Sequence, residues 1–131
     1  MTKQELERIN DLDLIIKQLE RKRKELRERR MSITVTISDT PRSHSEQDKM
    51  AEYMAELDEI EREYAGILAE HERLYVRYAR AISSLRHRER RVLYLRYHEC
   101  FKWEKIARII HYSVNGAQYI HDKALKKIEP F

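Results

Sequence analysis

Two long heptad runs constrain the fold of this 131-residue chain more than any other feature of its sequence. Seam residues return at alternating steps of three and four, first from Ile9 to Arg30 and again from Met50 to Ala81. This spacing keeps one face of an α-helix largely apolar and is typical of the seam between paired helices. Only 2 Gly and 2 Pro could interrupt such helices, and 38% of the residues are charged. The sequence therefore predicts an all-α protein with long, polar-faced helices.

The two runs predict a long antiparallel helical hairpin, a coiled coil over residues 1–82. Thr2 and Glu5 form a capping box, so the first helix is expected to begin near the N-terminus and to end at about Arg30. Residues 31–45 break the pattern, because SITVTIS alternates as a strand does and a Pro follows. We predict a connecting loop there, with a short extended piece, and a second helix that begins near Ser45.

Charge sets the predicted orientation of the hairpin. The first 30 residues carry 10 basic and 7 acidic side chains, whereas residues 46–82 carry 5 basic and 10 acidic ones. Antiparallel pairing places the basic end of the first helix beside the acidic start of the second, with Arg23 and Arg30 facing Glu52, Glu56 or Glu59. The second helix is predicted to be longer than the first, which favours a homodimer through the hairpin over a monomeric one. A polymerase-docking arm and a simple spacer are the alternatives.

Residues 83–131 form a second predicted domain, which ends in a helix-turn-helix. Apolar residues recur at helical spacing on both sides of a turn at 111–113, and Ser113 is suited to cap the helix that follows. The turn carries His111 where many such motifs have Gly, and His tolerates a positive φ better than most residues. This domain holds 11 basic and 5 acidic side chains, the excess that phosphate binding requires.

The C-terminal domain resembles region 4 of sigma-70-type sigma factors. The motifs that carry the likeness are RERRVLYLRY, WEKIA, a Ser in the turn, and KALKKI, in this order over about a third of the chain. The whole layout is similar to the small sigma-region-4-like regulators of Gram-positive phages and mobile elements, the ArpU, RinA and late-transcription-regulator group. The resemblance implies binding to promoter DNA and contact with host RNA polymerase.

The predicted reading helix carries the candidate DNA-binding residues. Its open face is expected to present Val114, Asn115, Gln118 and Tyr119 to the bases, since Asn and Gln can donate and accept together at an adenine edge. The resemblance implies base and phosphate contacts at Asn115, Gln118 and Tyr119. The predicted phosphate-binding residues are Ser113, Lys102, Arg88 and Lys123. Each Lys or Arg alone is equally well explained as a solvated charge, whereas the set as a whole favours DNA.

Other chemistry has little support in the sequence. We expect no enzyme and no cofactor, because neither a Gly-rich phosphate loop nor a nucleophile-base pattern occurs. His98, Cys100, His111 and His121 fit no common zinc spacing, so no metal is expected. Trp103 is interpreted as a core residue, and Cys100 as a small buried one. A single Cys and no long apolar run predict a cytoplasmic protein of a bacterial host that does not associate with a membrane.

The sequence favours a sequence-specific DNA-binding transcriptional regulator, an activator of late genes in a phage or mobile element that acts with host RNA polymerase. A complete sigma factor is excluded, because the first 80 residues contain nothing like the aromatic-rich part that melts promoters. Two alternatives stay open. One is a DNA-packaging protein similar to a small terminase subunit, and the other is a polymerase-binding sigma decoy that does not read DNA.

Overall fold

The computed structural model of the chain describes residues 1–38 and 44–131, and this part is all-helical, with no β-strand. Five α-helices follow one another: α1 (Lys3–Ser38), α2 (His44–Ile82), α3 (His87–Leu93), α4 (Trp103–Ile110) and α5 (Val114–Ile128). A π-helical turn, Tyr94–His98, continues α3. The all-α prediction is confirmed for these residues. None of the helices described is long and apolar enough to cross a membrane.

The predicted connection between the first two helices is wrong over residues 31–38, because α1 continues to Ser38. Strand-like alternation did not stop the helix there. A β-branched residue in a helix costs only a few tenths of a kcal/mol, and a helix that has already nucleated gains a hydrogen bond with each added residue. Residues 39–43, which also belong to the predicted loop, lie outside the described residues. The last two residues of that loop, 44 and 45, are the first two residues of α2.

The chain divides into two compact units, a smaller one formed by Leu12–Glu70 and a larger one formed by Met1–Asp11 with His71–Phe131. The division predicted between residues 82 and 83, which separates a helical hairpin from a helix-turn-helix domain, stays a prediction. Each unit has its own apolar core and is described separately below.

In the smaller unit, α1 and α2 run antiparallel. Glu20 of α1 accepts a hydrogen bond from Tyr64 of α2 at 3.1 Å, and Arg29, further along α1, pairs with Glu56, which lies earlier in α2, at 2.9 Å. Contacts in this order require antiparallel helices. Every seventh residue of α1 is buried here, namely Leu12, Leu19 and Leu26, with exposures of 0 to 3%. These leucines occupy positions of the predicted seam.

The ion pairs of this seam differ from those predicted. Arg23 pairs with Glu61 at 3.5 Å, and its guanidinium lies 4.8 Å from the centre of the Tyr64 ring. Arg29 pairs with Glu56 at 2.9 Å, and the Arg30 guanidinium lies over the Tyr53 ring, 5.9 Å from its centre. Charge predicted the direction of the helices, but the register follows the packing of the large tyrosine rings, which an exposed ion pair is too weak to override.

The larger unit contains two apolar clusters. The first joins both ends of the chain to α2, α3 and the π-helical turn, and its buried members are Met1, Leu6, Ala81, Leu85, Leu93, Tyr97, Ala124 and Ile128. The second lies between α3, α4 and α5, and its buried members are Val92, Leu95, Ile106, Ala107, Ile110 and Ala117. Leu93 of α3 packs in the first cluster and its neighbour Val92 in the second, and both clusters contain residues of α5. Contacts with α3 and with α4 therefore both position α5.

The first residues of α1 are fastened to the larger unit by polar contacts as well. The predicted capping box is confirmed, since the Glu5 backbone amide donates to the Thr2 hydroxyl and the Thr2 amide donates to the Glu5 carboxylate, both at 3.3 Å. The Glu5 carboxylate also pairs with Arg77 at 2.5 Å. The amino group of Met1 donates to the Ile128 carbonyl at 2.7 Å. Residues 1–11 therefore help to hold the end of α5.

Candidate nucleic-acid interface

A three-residue turn, 111–113, joins α4 to α5. His111 has φ 60° and ψ 44°, which is the left-handed conformation predicted for it. The Tyr112 amide donates to the Ala107 carbonyl at 3.0 Å and closes the end of α4. Ser113 then returns to an extended conformation, and its hydroxyl accepts a hydrogen bond from the Gly116 amide at 3.0 Å. The predicted N-cap is therefore confirmed.

Gly116 lies in the tightly packed first turn of α5. A Cβ atom at that position would lie 3.1 Å from the Ser113 hydroxyl oxygen and 3.3 Å from Cδ1 of Tyr112. Both distances are closer than ordinary carbon contacts. The absence of a side chain at Gly116 allows the capping serine and the Tyr112 ring to approach the first turn of α5 together.

The faces of α5 are clearly separated. Ala117, His121, Ala124 and Ile128 are buried, whereas Asn115, Tyr119, Asp122 and Lys123 are exposed, Tyr119 by 67%. Val114 and Gln118 are half-buried at the edge of the exposed face, and Val114 packs against the second apolar cluster. Of the four predicted base-reading residues, Asn115 and Tyr119 are thus fully presented, Gln118 is partly presented, and Val114 serves mainly as packing.

A cleft between α3 and α5 gathers several of the predicted residues. It is lined by Arg86, Arg88, Glu89, Tyr119, Ile120 and Lys123. Three cationic side chains in one cleft beside an exposed tyrosine provide an electropositive surface that can attract an anion. Lys102, the residue before α4, and Ser113, at the start of α5, are also exposed, but neither lines this cleft.

Arg88 is more constrained than the sequence indicated. Its guanidinium lies 4.8 Å from the centre of the Tyr112 ring and donates a hydrogen bond to the Tyr112 hydroxyl. An arginine has five N–H donors, so this contact leaves others for a ligand. The consequence is that α3 supports the turn before α5 through Arg88, and that the guanidinium is held near the start of the exposed face.

A buried ion pair between α3 and α5 was not found by sequence reasoning. Glu89 is only 6% exposed, and Lys127 donates to its Oε1 at 2.7 Å. The other carboxylate oxygen, Oε2, is buried without a hydrogen-bond partner among the described residues. A signal existed in the sequence, because Glu89 precedes Val92 and Leu93 by three and four residues and so shares their buried face. Lys127 therefore stabilises the contact between α3 and α5.

A second missed feature is the buried imidazole of His121 on the inner face of α5. Its Nε2 lies 2.6 Å from the Tyr97 hydroxyl, and its Nδ1 lies 2.9 Å from a carboxylate oxygen of Asp122. The Trp103 ring meets it edge-on at 4.9 Å. Burial lowers the pKa of His121, and the neighbouring Asp122 partly opposes that shift. Burial also raises the pKa of Tyr97 to about 12, so its hydroxyl stays protonated and can donate to the imidazole.

Two further predictions concern the segment between the π-helical turn and α4. Trp103 is half-buried against the second apolar cluster, and the Arg96 guanidinium lies over its ring at 4.7 Å, which is consistent with a packing role. The prediction that Cys100 is buried is wrong. Cys100 is exposed, with φ 57°, and its sulfur accepts a hydrogen bond from Asn10 at 3.2 Å. Cys100 therefore lies outside both apolar clusters, in the segment that joins the π-helical turn to α4.

The four residues considered as a zinc set have separate environments. His98 stacks on Tyr94, and Cys100 contacts Asn10. His111 is exposed in the turn after α4, and His121 is packed between Tyr97 and Trp103. Over residues 1–38 and 44–131, no group of three His, Cys, Asp or Glu side chains is arranged to hold a metal ion.

Comparison with protein-family models, with curated proteins and with solved structures found no match. The likeness to sigma region 4 therefore rests on the motifs of residues 88–128 themselves.

Proposed function

We propose that this chain is a sequence-specific, double-stranded DNA-binding regulator of transcription, in which α4, the turn and α5 act as a helix-turn-helix and α5 enters the major groove. The observation that carries the proposal is the composition of one surface. The exposed start of α5 presents Asn115 and Tyr119 beside a cleft lined by three cationic side chains. Polar base-reading groups next to phosphate-binding cations are what a DNA-reading surface requires.

The roles within this surface follow from the chemistry of each group. Asn115 can donate to N7 and accept from N6 of the same adenine, and Gln118, at the edge of the face, can do the same one turn further along. Tyr119 offers a hydroxyl and a broad ring to the backbone or to a thymine methyl group. A bidentate contact of this type contributes about 1–3 kcal/mol of discrimination against a wrong base.

The phosphate contacts would come from both sides of the reading helix. Arg88 and Lys123 line the cleft, and Lys102 precedes α4. The Ser113 hydroxyl accepts from the Gly116 amide, so its own O–H remains able to donate to a phosphate oxygen. Because Arg88 is held against Tyr112, its guanidinium loses little conformational freedom on binding.

The regulatory part of the proposal rests on the resemblance to sigma region 4. It implies a promoter as the target and host RNA polymerase as a partner, with activation of phage or mobile-element late genes as the outcome. Residues 83–131 would act as the DNA-binding domain and residues 1–82 as a helical hairpin. The large net basic charge of residues 83–131 supports DNA as the ligand of that domain, since acidic residues dominate the preceding segment.

In vitro selection from random duplexes, followed by sequencing, tests the proposal. The wild-type chain should enrich one motif. Asn115→Ala and Gln118→Ala should relax preference at one or two positions of that motif, whereas Lys123→Ala should weaken binding to all sequences equally. Lys49→Ala removes one exposed charge from α2 and serves as the matched control for Lys123→Ala, with no expected effect.

The same experiment separates the alternatives. Enrichment of no motif by the wild-type chain, together with retained binding to RNA polymerase, would contradict the proposal and favour a polymerase-binding decoy. Enrichment of a motif that Asn115→Ala and Gln118→Ala leave unchanged would show that α5 is not the reading helix. A ring of eight or more subunits in light scattering would favour a DNA-packaging protein.

A further inference from the structure

In the smaller unit, α2 carries a second heptad run on the face opposite its seam with α1. Its members recur at steps of four and three: Ala51, Ala55, Asp58, Arg62, Ala65 and Ala69. All six are exposed. They lie about 180° around the helix from Ile60, which belongs to the seam that α2 shares with α1.

Two large apolar side chains flank this face on one side. Met54 is 54% exposed and Leu68 is 38% exposed. Alanine alone is a good helix former and needs no other reason to occupy an exposed position. Exposed Met and Leu at heptad spacing along the same edge have no such explanation, because each leaves apolar surface in water.

The order of the residues on this face is symmetric about the level of Ile60. Read in either direction, the face runs Ala, Ala, one charged residue, one charged residue of opposite sign, Ala, Ala. Asp58 and Arg62 already pair within the helix at 2.7 Å, and their side chains are 59% and 78% exposed. A surface with this symmetry is complementary to itself when turned end to end.

From these features we infer that α2 forms an antiparallel, two-fold symmetric contact with α2 of a second copy of this chain. In that arrangement Ala51 faces the partner's Ala69, Ala55 faces the partner's Ala65, and Asp58 faces the partner's Arg62. Small residues at the centre allow close approach of the two helices, with axes about 8 Å apart. Met54 then meets the partner's Leu68, and the two-fold axis repeats every contact.

Charge selects this arrangement over the parallel one. In a parallel, in-register pair, Asp58 would face the partner's Asp58 and Arg62 the partner's Arg62, which is repulsive at both levels. The antiparallel pair replaces both repulsions by attraction. Its like-charge approaches are Glu61 with the partner's Glu61 on one edge and Glu59 with the partner's Glu59 on the other, because both residues lie about 80° around the helix from the centre of the face. Glu61 has a counter-ion in its own chain, since Arg23 lies 3.5 Å from it.

The reason for a dimer thus differs from the one the sequence suggested. A shorter first helix was expected to leave part of the seam uncovered, but α1 has 36 residues and α2 has 39. The proposed contact spans about 27 Å, from Ala51 to Ala69, at 1.5 Å per residue. A contact between two helices over this length lies at the small end of specific protein interfaces, so the dimer is expected to dissociate on dilution.

Sedimentation equilibrium of the full chain across a concentration series tests the inference. Asp58→Arg or Arg62→Asp alone should raise the dimer Kd at least about tenfold, since like charges then face each other. The double variant Asp58→Arg with Arg62→Asp should restore the wild-type Kd. Glu63→Arg changes an exposed charge of the same helix about 120° around from the centre of this face and should leave the Kd within about twofold.

Cross-linking then tests the direction of the helices. In a Cys100→Ser background, a mixture of Ala51→Cys and Ala69→Cys chains should form a disulfide-linked heterodimer, and Ala51→Cys alone should not. A wild-type chain that stays monomeric at all concentrations would overturn the inference, as would a double charge swap that fails to restore the dimer. Cross-linking of Ala51→Cys with itself would show a parallel contact instead. None of these outcomes depends on DNA binding.

Discussion

The buried ion pair between Glu89 and Lys127 joins α3 to α5, and its removal should lower the free energy of unfolding by a measurable amount. Lys127→Met removes the ion-pair partner of Glu89, whose side chain is 8% exposed and whose second carboxylate oxygen is already without a hydrogen bond among the described residues. Removing one member of a buried pair generally costs about 3–5 kcal/mol, because the remaining charge stays buried and unpaired. Lys127 is 34% exposed, so water can partly replace it, and we expect a loss of about 3 kcal/mol.

Urea unfolding followed by the fluorescence of Trp103 measures this loss in the larger unit, because Trp103 is the single tryptophan of the chain and lies in that unit. Lys126→Met is the matched control. Lys126 is the exposed neighbour of Lys127, and its replacement should change the free energy of unfolding by less than about 0.5 kcal/mol. The double variant Glu89→Met with Lys127→Met should recover most of the loss, since an apolar pair of similar volume needs no counter-charge.

Two results would contradict this prediction. If Lys127→Met unfolds at the same urea concentration as Lys126→Met, the ion pair contributes nothing measurable to the stability of the larger unit. If the double variant is less stable than Lys127→Met, the cost arises from lost packing rather than from an unpaired buried charge.

Three further predictions concern the same helix and its turn. Burial lowers the pKa of His121 below its ordinary value of 6.5, so between these two pKa values the unfolded chain binds a proton that the folded chain does not. Stability should therefore fall as the pH drops from about 6.5 through the folded pKa. Thermal unfolding of His121→Gln should lack this contribution to the dependence of stability on pH, whereas His87→Gln should retain it. Ser113→Ala removes the N-cap of α5 and should cost about 1 kcal/mol in urea unfolding, whereas Ser113→Asp should cost less. His111→Val places a β-branched residue at φ 60° and should cost about 1–2 kcal/mol, and the same assay on His111→Gly should show no loss.

The parts of the fold that the sequence predicted are those set by local chemistry. The hydroxyl of Ser113 caps whatever helix follows it, and His111 takes the left-handed conformation because the chain must reverse there. The capping box of Thr2 with Glu5 is formed within four residues of chain. Each of these features requires information from only a few neighbouring residues, so the sequence was sufficient.

The missed features all depend on tertiary contacts. Glu89 is buried because Lys127 of another helix neutralises it, and His121 is buried because Tyr97 and Trp103 enclose it. The helical period places Glu89 on the buried face of α3, but the neighbouring sequence does not show that Lys127 is its partner, nor that Tyr97 and Trp103 enclose His121. The extension of α1 to Ser38 was missed for the opposite reason, since a local strand-like pattern was given more weight than the continuation of a long helix.

The candidate interface shows the same division. The period of α5 was enough to predict that Asn115 and Tyr119 would be exposed, but not that Val114 would pack against the second apolar cluster. The composition of α3 predicted a basic surface, whereas the contact that holds Arg88 against Tyr112 joins residues that are 24 positions apart. Sequence period therefore gives the face of a helix, and packing decides which side chains on it remain available.

The measurement that tests the central proposal most directly is the affinity of the chain for its selected duplex and for a scrambled duplex of equal length, followed by fluorescence anisotropy over a range of salt concentrations. With Arg88, Lys102 and Lys123 as phosphate contacts, log K for the scrambled duplex should fall against log salt with a slope of about −3 per subunit. The selected duplex should bind at least about a thousandfold more tightly at physiological salt. Equal affinity for the two duplexes, or binding that does not change with salt, would contradict the proposal that α5 reads DNA.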